Sequence, residues 1–198
     1  MSGHAFPGIE GGVAPRCVIV TGRPGSGKTT LARELGRRLW MPVVSRDELK
    51  EGYVRTFATP HASLPPETNG IVSDLFFGLV EQYLLGRVSL IVEAAFQHAV
   101  WASHSRMLRE RADPVVVLCS VDAALAARRH LERARSDPRR EYYHGDPHAP
   151  PDPRSGAVAP LGDYVAPDLG VPTIRVSTED AYAPGLDEIV DRIQSPGS

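Results

Sequence analysis

The chain has 198 residues, enough for one domain with a sizeable core. Its formal net charge of −2 leaves no overall electrostatic footprint for nucleic acid, and its two cysteines lie in apolar runs that read as core strands rather than a disulfide framework. No apolar run approaches a membrane span and no signal-peptide pattern opens the chain, so a soluble cytoplasmic protein is expected.

Residues 1–15 contain Gly and Pro without periodicity and read as a flexible arm before a single domain over residues 16–195. Cys17–Thr21 is the first strand. It runs into Gly22-Arg23-Pro24-Gly25-Ser26-Gly27-Lys28-Thr29, the pattern G-x-x-x-x-G-K-[ST] of a P-loop, and then Thr30 and a helix carrying Leu31, Leu35 and Leu39. In that strand–loop–helix setting the loop's N–H groups form a nest for phosphate, and the helix start adds a positive dipole end. Lys28 then reaches the terminal phosphates of ATP or GTP, and the Thr29 hydroxyl sits on Mg²⁺. Lys28 and Lys50 are the only lysines, against twenty arginines, which makes a chance match to the motif rare.

Pro42 breaks the chain before a short strand, Val43–Ser45, that leads into Arg46-Asp47-Glu48. A carboxylate at a strand mouth beside a P-loop suits a catalytic base for an acceptor hydroxyl. The lesser alternative is that Asp47 caps a helix beginning at Glu48. Arg46, Tyr53, Arg55 and Phe57 are candidate acceptor contacts. Residues 67–85 read as a helix with Ile71, Leu75, Leu79 and Tyr83 on one face. Residues 89–93 are a buried strand ending at Glu93, a candidate for the Mg²⁺ shell or for substrate.

His98 opens a helix to Arg111 and is a candidate pocket residue. Residues 115–119 are a strand, and Asp122 caps a helix over 123–135 on which Arg129 and Arg133 share a face fit to grip a polyphosphate. The stretch 136–167 is Pro-rich, includes His144 and His148, and reads either as a lid loop or as a surface insertion. Together, 123–168 form a lid helix and loop. A strand at 173–176 and a helix at 186–193 complete the chain. Strands alternating with helices imply a doubly covered parallel sheet, with ligands at the strands' carboxyl ends.

Gly22–Thr30, then Val44-Ser45-Arg46-Asp47 and Asn69-Gly70-Ile71-Val72, resembles the P-loop kinase branch that contains the phage polynucleotide 5′-kinase. Small-molecule kinases such as chloramphenicol phosphotransferase are relatives in the same broad fold. The resemblance covers roughly residues 16–136. It implies an α/β P-loop NTPase fold with a five-stranded parallel sheet of order 2-3-1-4-5 and a helical lid. It also implies Asp47 as general base and Arg129 with Arg133 as the lid arginine pair. The third strand departs from the polynucleotide kinase pattern, ending in Glu93-Ala94-Ala95-Phe96, and this apolar exit suggests a compact, partly apolar acceptor. The expectation is transfer of the γ-phosphoryl of ATP or GTP to a hydroxyl of a small molecule, an antibiotic being the sharper form. A polynucleotide 5′-hydroxyl kinase and a nucleotide-binding switch without acceptor are the alternatives. No sequence feature sets an oligomeric state.

Overall fold

The structure, a computed structural model, describes residues 13–137, 139–144 and 163–195. The strands are β1 (Arg16–Thr21), β2 (Val43–Ser45), β3 (Leu90–Ala94), β4 (Asp113–Ser120) and β5 (Thr173–Ser177). The helices are α1 (Lys28–Leu39), α2 (Arg46–Phe57), α3 (Thr68–Leu85), α4 (His98–Arg111), α5 (Ala123–Ser136), α6 (Arg139–His144) and α7 (Leu186–Gln194). The strands form one parallel sheet in the order β2-β3-β1-β4-β5. Helical crossovers cover both faces, so the central strands β1, β3 and β4 read as solid apolar runs, whereas edge strand β5 alternates. No described helix is long and apolar enough to cross a membrane.

Central β1 divides its side chains between two cores. Cys17 and Ile19 face α3 and α4, with Phe76, Trp101 and Leu108; Val18 and Val20 face α1 and α7, with Leu31, Leu35, Ile189 and Ile193. The register sets Val20 beside Glu93, and Glu93 beside Ser45, so three strand ends deliver their functional residues to one edge. Asp122 caps α5 as expected, accepting a hydrogen bond from the Leu125 N–H at 3.0 Å.

Two expectations are corrected. On α3 the buried row is Val72, Phe76, Phe77, Val80 and Leu84, whereas Ile71, Leu75 and Leu79 are 39%, 49% and 40% exposed. This helix is apolar on more than one side, and the sheet takes the row carrying the aromatic rings, because they bury the larger area. The Pro-rich stretch is also more structured than its composition suggests. Residues 139–144 form α6, with His144 buried rather than in a loop. Residues 163–168 are fastened to α4: Gln97 donates to Asp163 O at 3.0 Å and accepts from Val165 N at 2.7 Å, and His98 N donates to Val165 O at 2.9 Å. His148 and the rest of the expected loop, residues 138 and 145–162, lie outside the described residues, as do residues 1–12 of the arm.

The two rows of α3 should differ sharply in cost. Phe76→Ala is expected to lose roughly 3–5 kcal/mol of stability, and Leu75→Ala less than about 1 kcal/mol. Chemical denaturation of both variants measures the difference.

Candidate active site

The loop between β1 and α1 turns on glycines with left-handed backbone. Gly25 has φ +81°, and a Cβ built there would lie 2.1 Å from the carbonyl oxygen of Ala126 on α5. Only glycine lets loop and helix approach this closely. Gly27, φ +77°, occupies the N-cap position of α1 without a side chain in the way. Arg23 closes the tip, its carbonyl accepting from Ser26 N at 3.1 Å. Thr178, just past β5, braces the loop by donating from Oγ1 to Ser26 O at 2.7 Å. The Ser26 hydroxyl itself is buried and has no hydrogen-bond partner among the described residues. It is enclosed by the loop itself, where a Cβ at Gly22 would stand 2.6 Å from it, and the backbone N–H groups are what fits the loop to an anion.

Lys28 enters this concavity from the first turn of α1. Its Nζ lies 3.7 Å from Glu93 Oε1, with side chains only 7% and 2% exposed. The other carboxylate oxygen of Glu93 accepts from Ser45 Oγ at 2.8 Å, and Thr29 also hydrogen-bonds this carboxylate. Burial pushes the Glu93 carboxyl above its ordinary 4.5; Lys28 and the Ser45 and Thr29 hydroxyls pull the other way without prevailing.

Asp47 lies in the first turn of α2, 3.6 Å from Arg46 Nη1 at Oδ1, and its side chain is 47% exposed. The helix begins at Arg46 with Ser45 at the N-cap position, two residues earlier than a cap at Asp47 requires. Ser45 makes no side-chain cap because its hydroxyl is committed to Glu93. Asp47 is therefore no helix cap, and its carboxylate faces the site. Crowding by protein raises its pKa, but His144, Lys28, Arg46 and Arg140 outweigh that and hold it below 3.8. Arg46 is fixed in turn by Asn69, donating to its Oδ1 at 2.9 Å.

Arg129 and Arg133 share a cavity of about 540 Å³ beside the P-loop, with Gly25, Gly27, Thr30 and Tyr182. Arg129 is spent on backbone, donating to Thr178 O at 2.8 Å and to Glu179 O. Arg133 is exposed to solvent; crowding by protein and the neighbouring Arg140 lower its pKa while Asp47 and Glu93 favour its charge. The two arginines thus share a face but not a task.

Other sequence candidates make structural contacts. The Tyr53 ring packs on Phe57, centroids 4.9 Å apart. The His98 ring serves the chain, its Nδ1 accepting from Asp168 N at 3.1 Å. The Ala94-Ala95-Phe96 exit opens no apolar pocket through Phe96, whose ring stacks on Phe77 at 5.5 Å and meets Trp101 at 5.4 Å. Residues not singled out from sequence also converge here. Ser45 was visible only as part of Ser-Arg-Asp. His144 and Arg140 come from a segment whose composition hid a helix. Tyr164, whose hydroxyl lies 3.0 Å from Thr21 Oγ1 at the P-loop entry, carried no spacing signal at all.

Residues 17–145 match a family of proteins described as an AAA domain, AAA_33. A search of curated proteins finds no match. Among solved structures, a candidate kinase of Chloroflexus aurantiacus J-10-fl is 25% identical with a TM-score of 0.74, over 92% of this chain and 98% of that one. The APS kinase of Mycobacterium tuberculosis, solved with AMPPNP and APS, is 18% identical with a TM-score of 0.55, over 92% and 99%. A chain of the Pnkp1/Rnl/Hen1 RNA repair complex is 21% identical with a TM-score of 0.54, over 65% of this chain and 40% of that one. The fold is that of the P-loop kinases, with the sheet order β2-β3-β1-β4-β5.

The two carboxylates should titrate apart. On acidification Glu93 takes its proton first, above pH 4.5, and Asp47 only below 3.8. Carboxyl-carbon NMR of the ligand-free protein measures both. Ser45→Ala removes a hydrogen bond to the charged form and should raise the Glu93 midpoint further.

Proposed function

We propose that this chain, which belongs to the AAA domain family that its residues 17–145 match, is a kinase that moves the γ-phosphoryl of ATP or GTP to a hydroxyl of a small molecule. One observation carries the reading: Lys28, Glu93, Ser45 and Asp47 converge on the carboxyl edge of the sheet, directly beside the P-loop nest.

The residues fit the groups such a reaction needs. The left-handed Gly25 and Gly27 give the loop a backbone suited to phosphate oxygens. The Thr29 hydroxyl and the Glu93 carboxylate suit Mg²⁺ or its waters. Among the described residues no group of three or more His, Cys, Asp or Glu could hold a metal by itself, so the cation would share its coordination with the nucleotide. Bound Mg·nucleotide supplies the transferable phosphoryl and neutralises its oxygens.

The chain's own groups do the rest. Asp47, ionised throughout the neutral range, would orient the acceptor hydroxyl and accept its proton. Lys28 would exchange Glu93 for phosphate oxygens as its main partner. Arg133 would meet the charge that spreads over the phosphoryl in the transition state. Arg129 would shape the nucleotide cavity through the 178–179 backbone it holds. An antibiotic acceptor is the sharper form of the reading: a phosphoryl group adds about −2 charge and would bar a drug from a neutral pocket in its target.

The test is a mass-spectrometric screen with Mg²⁺, ATP or GTP, and hydroxyl-bearing antibiotics, nucleosides, sugars and a 5′-hydroxyl oligonucleotide. A phosphorylated small molecule supports the reading. Phosphate on the oligonucleotide alone replaces it with a polynucleotide kinase, and nucleotide bound without transfer to any acceptor removes the phosphotransferase. Asp47→Asn should lower the transfer rate by roughly 10²–10⁴-fold while nucleotide affinity stays near wild type. Lys28→Ala should lose nucleotide affinity as well, which isothermal titration separates from the rate.

A further inference from the structure

A second cavity lies between α2 and α6. Its volume is about 360 Å³, in the range of small-molecule sites. Glu48, Glu51, Arg55, Arg140 and Tyr143 face it, and no aliphatic side chain lines it among the described residues. Its position ties it to the site, because Glu51 in its wall lies one helical turn after Asp47 on the same side of α2.

The walls are fixed in place. Lys50 is buried and donates from Nζ to the His144 carbonyl at 2.9 Å, which fastens the last turn of α6 to α2. His144 Nε2 lies 3.0 Å from Glu51 Oε1. Arg139 grips Asp137 in a bidentate pair at 2.8 and 3.1 Å. Glu48 is held from outside by Arg33 at 2.6 Å.

Gly52 forms part of the cavity lining from the middle of α2, where glycine costs helix stability relative to alanine. A Cβ built there would meet nothing within 4 Å, so no packing contact demands glycine. What the missing side chain provides is room.

We propose that this cavity receives the phosphoryl acceptor, and that the acceptor is a polyhydroxylated molecule without strong net charge, in the manner of a sugar or cyclitol. The inference rests on the kinase reading above. Carboxylates accept from hydroxyls, guanidiniums donate to them, and the Tyr143 ring offers a face for C–H groups. A polyol meets all three at once. An apolar acceptor would strip water from these charges and return no hydrogen bonds. A polyanion would face Glu48, Glu51 and Asp137, and a polycation Arg55, Arg139 and Arg140.

The experiment combines an acceptor panel of polyols, apolar alcohols and a 5′-hydroxyl oligonucleotide with the variants Gly52→Leu and Gly52→Ala. The expected result is transfer to a polyol, an acceptor KM raised on the order of 10-fold or more by Gly52→Leu, and little change for Gly52→Ala. Nucleotide affinity should hold in both variants, and Tm should not fall, which separates a filled cavity from a damaged fold. Transfer to an apolar alcohol or the oligonucleotide, or a polyol KM indifferent to Gly52→Leu, overturns the cavity assignment and leaves the kinase standing. Nucleotide binding without transfer to any acceptor overturns both.

Discussion

Lys28 and Glu93 are an ion pair withdrawn almost wholly from water, and the working edge of the protein is arranged around that pair. Two buried charges cost more to desolvate than their attraction returns unless hydrogen bonds fill the remaining valences. Here Ser45 and Thr29 supply those bonds to the carboxylate. The pair can exist only because β1 is flanked by β3, and β3 by β2, in the register that aligns Val20, Glu93 and Ser45. A slip of one residue in β3 would turn Glu93 toward the opposite face of the sheet. Sheet register and phosphate chemistry are thus one constraint. Nucleotide phosphates, in the proposed reaction, would give Lys28 a second counter-charge where the ligand-free protein offers only Glu93.

The same edge holds two carboxylates in unlike surroundings. Glu93 is enclosed, and burial drives its pKa up; Asp47 is open and ringed by cations, which drive it down. Environments that push two titratable groups apart are how one site assigns different tasks to chemically similar side chains. The separation suits a division in which Asp47 handles the acceptor's proton and Glu93 deals with cations. The cations around Asp47 come from the P-loop helix, from its own helix and from α6. Tethering of α6 by Lys50 therefore bears on the charge state of Asp47 through the Arg140 that α6 carries.

Much of this was legible in the sequence, where a motif and its setting coincided. The P-loop stood between an apolar strand and a helix with leucines at four-residue spacing, and the parallel sheet followed from the alternation. Asp47 stood out by its place at a strand mouth, and the Asp122 cap was found by its place before a helix. Elsewhere the signal was degenerate. Ile71, Leu75 and Leu79 have the periodicity of a core face, but so do the residues one position along, and sequence spacing cannot rank two apolar rows on one helix. Phe96 looked like a pocket wall because its partners on α3 and α4 are remote in sequence. The helix holding His144 is too short to show a period, and its proline-rich surroundings argued for a loop. His98 has the chemistry of a site residue, yet only the chain's return past α4 shows what its ring holds.

Both lysines of these 198 residues point inward: Lys28 is 5% exposed and Lys50 is 4% exposed. Apart from the α-amino terminus, the outer positive charge is carried by arginine. Reagents that seek lysine amines, whether acylating labels, cross-linkers or the enzymes that acetylate or ubiquitinate, find none on this surface. The lysine nearest to reach is the one in the phosphate nest, so an acylating nucleotide analogue would mark this protein at a single address, where an indiscriminate amine reagent would leave it nearly blank.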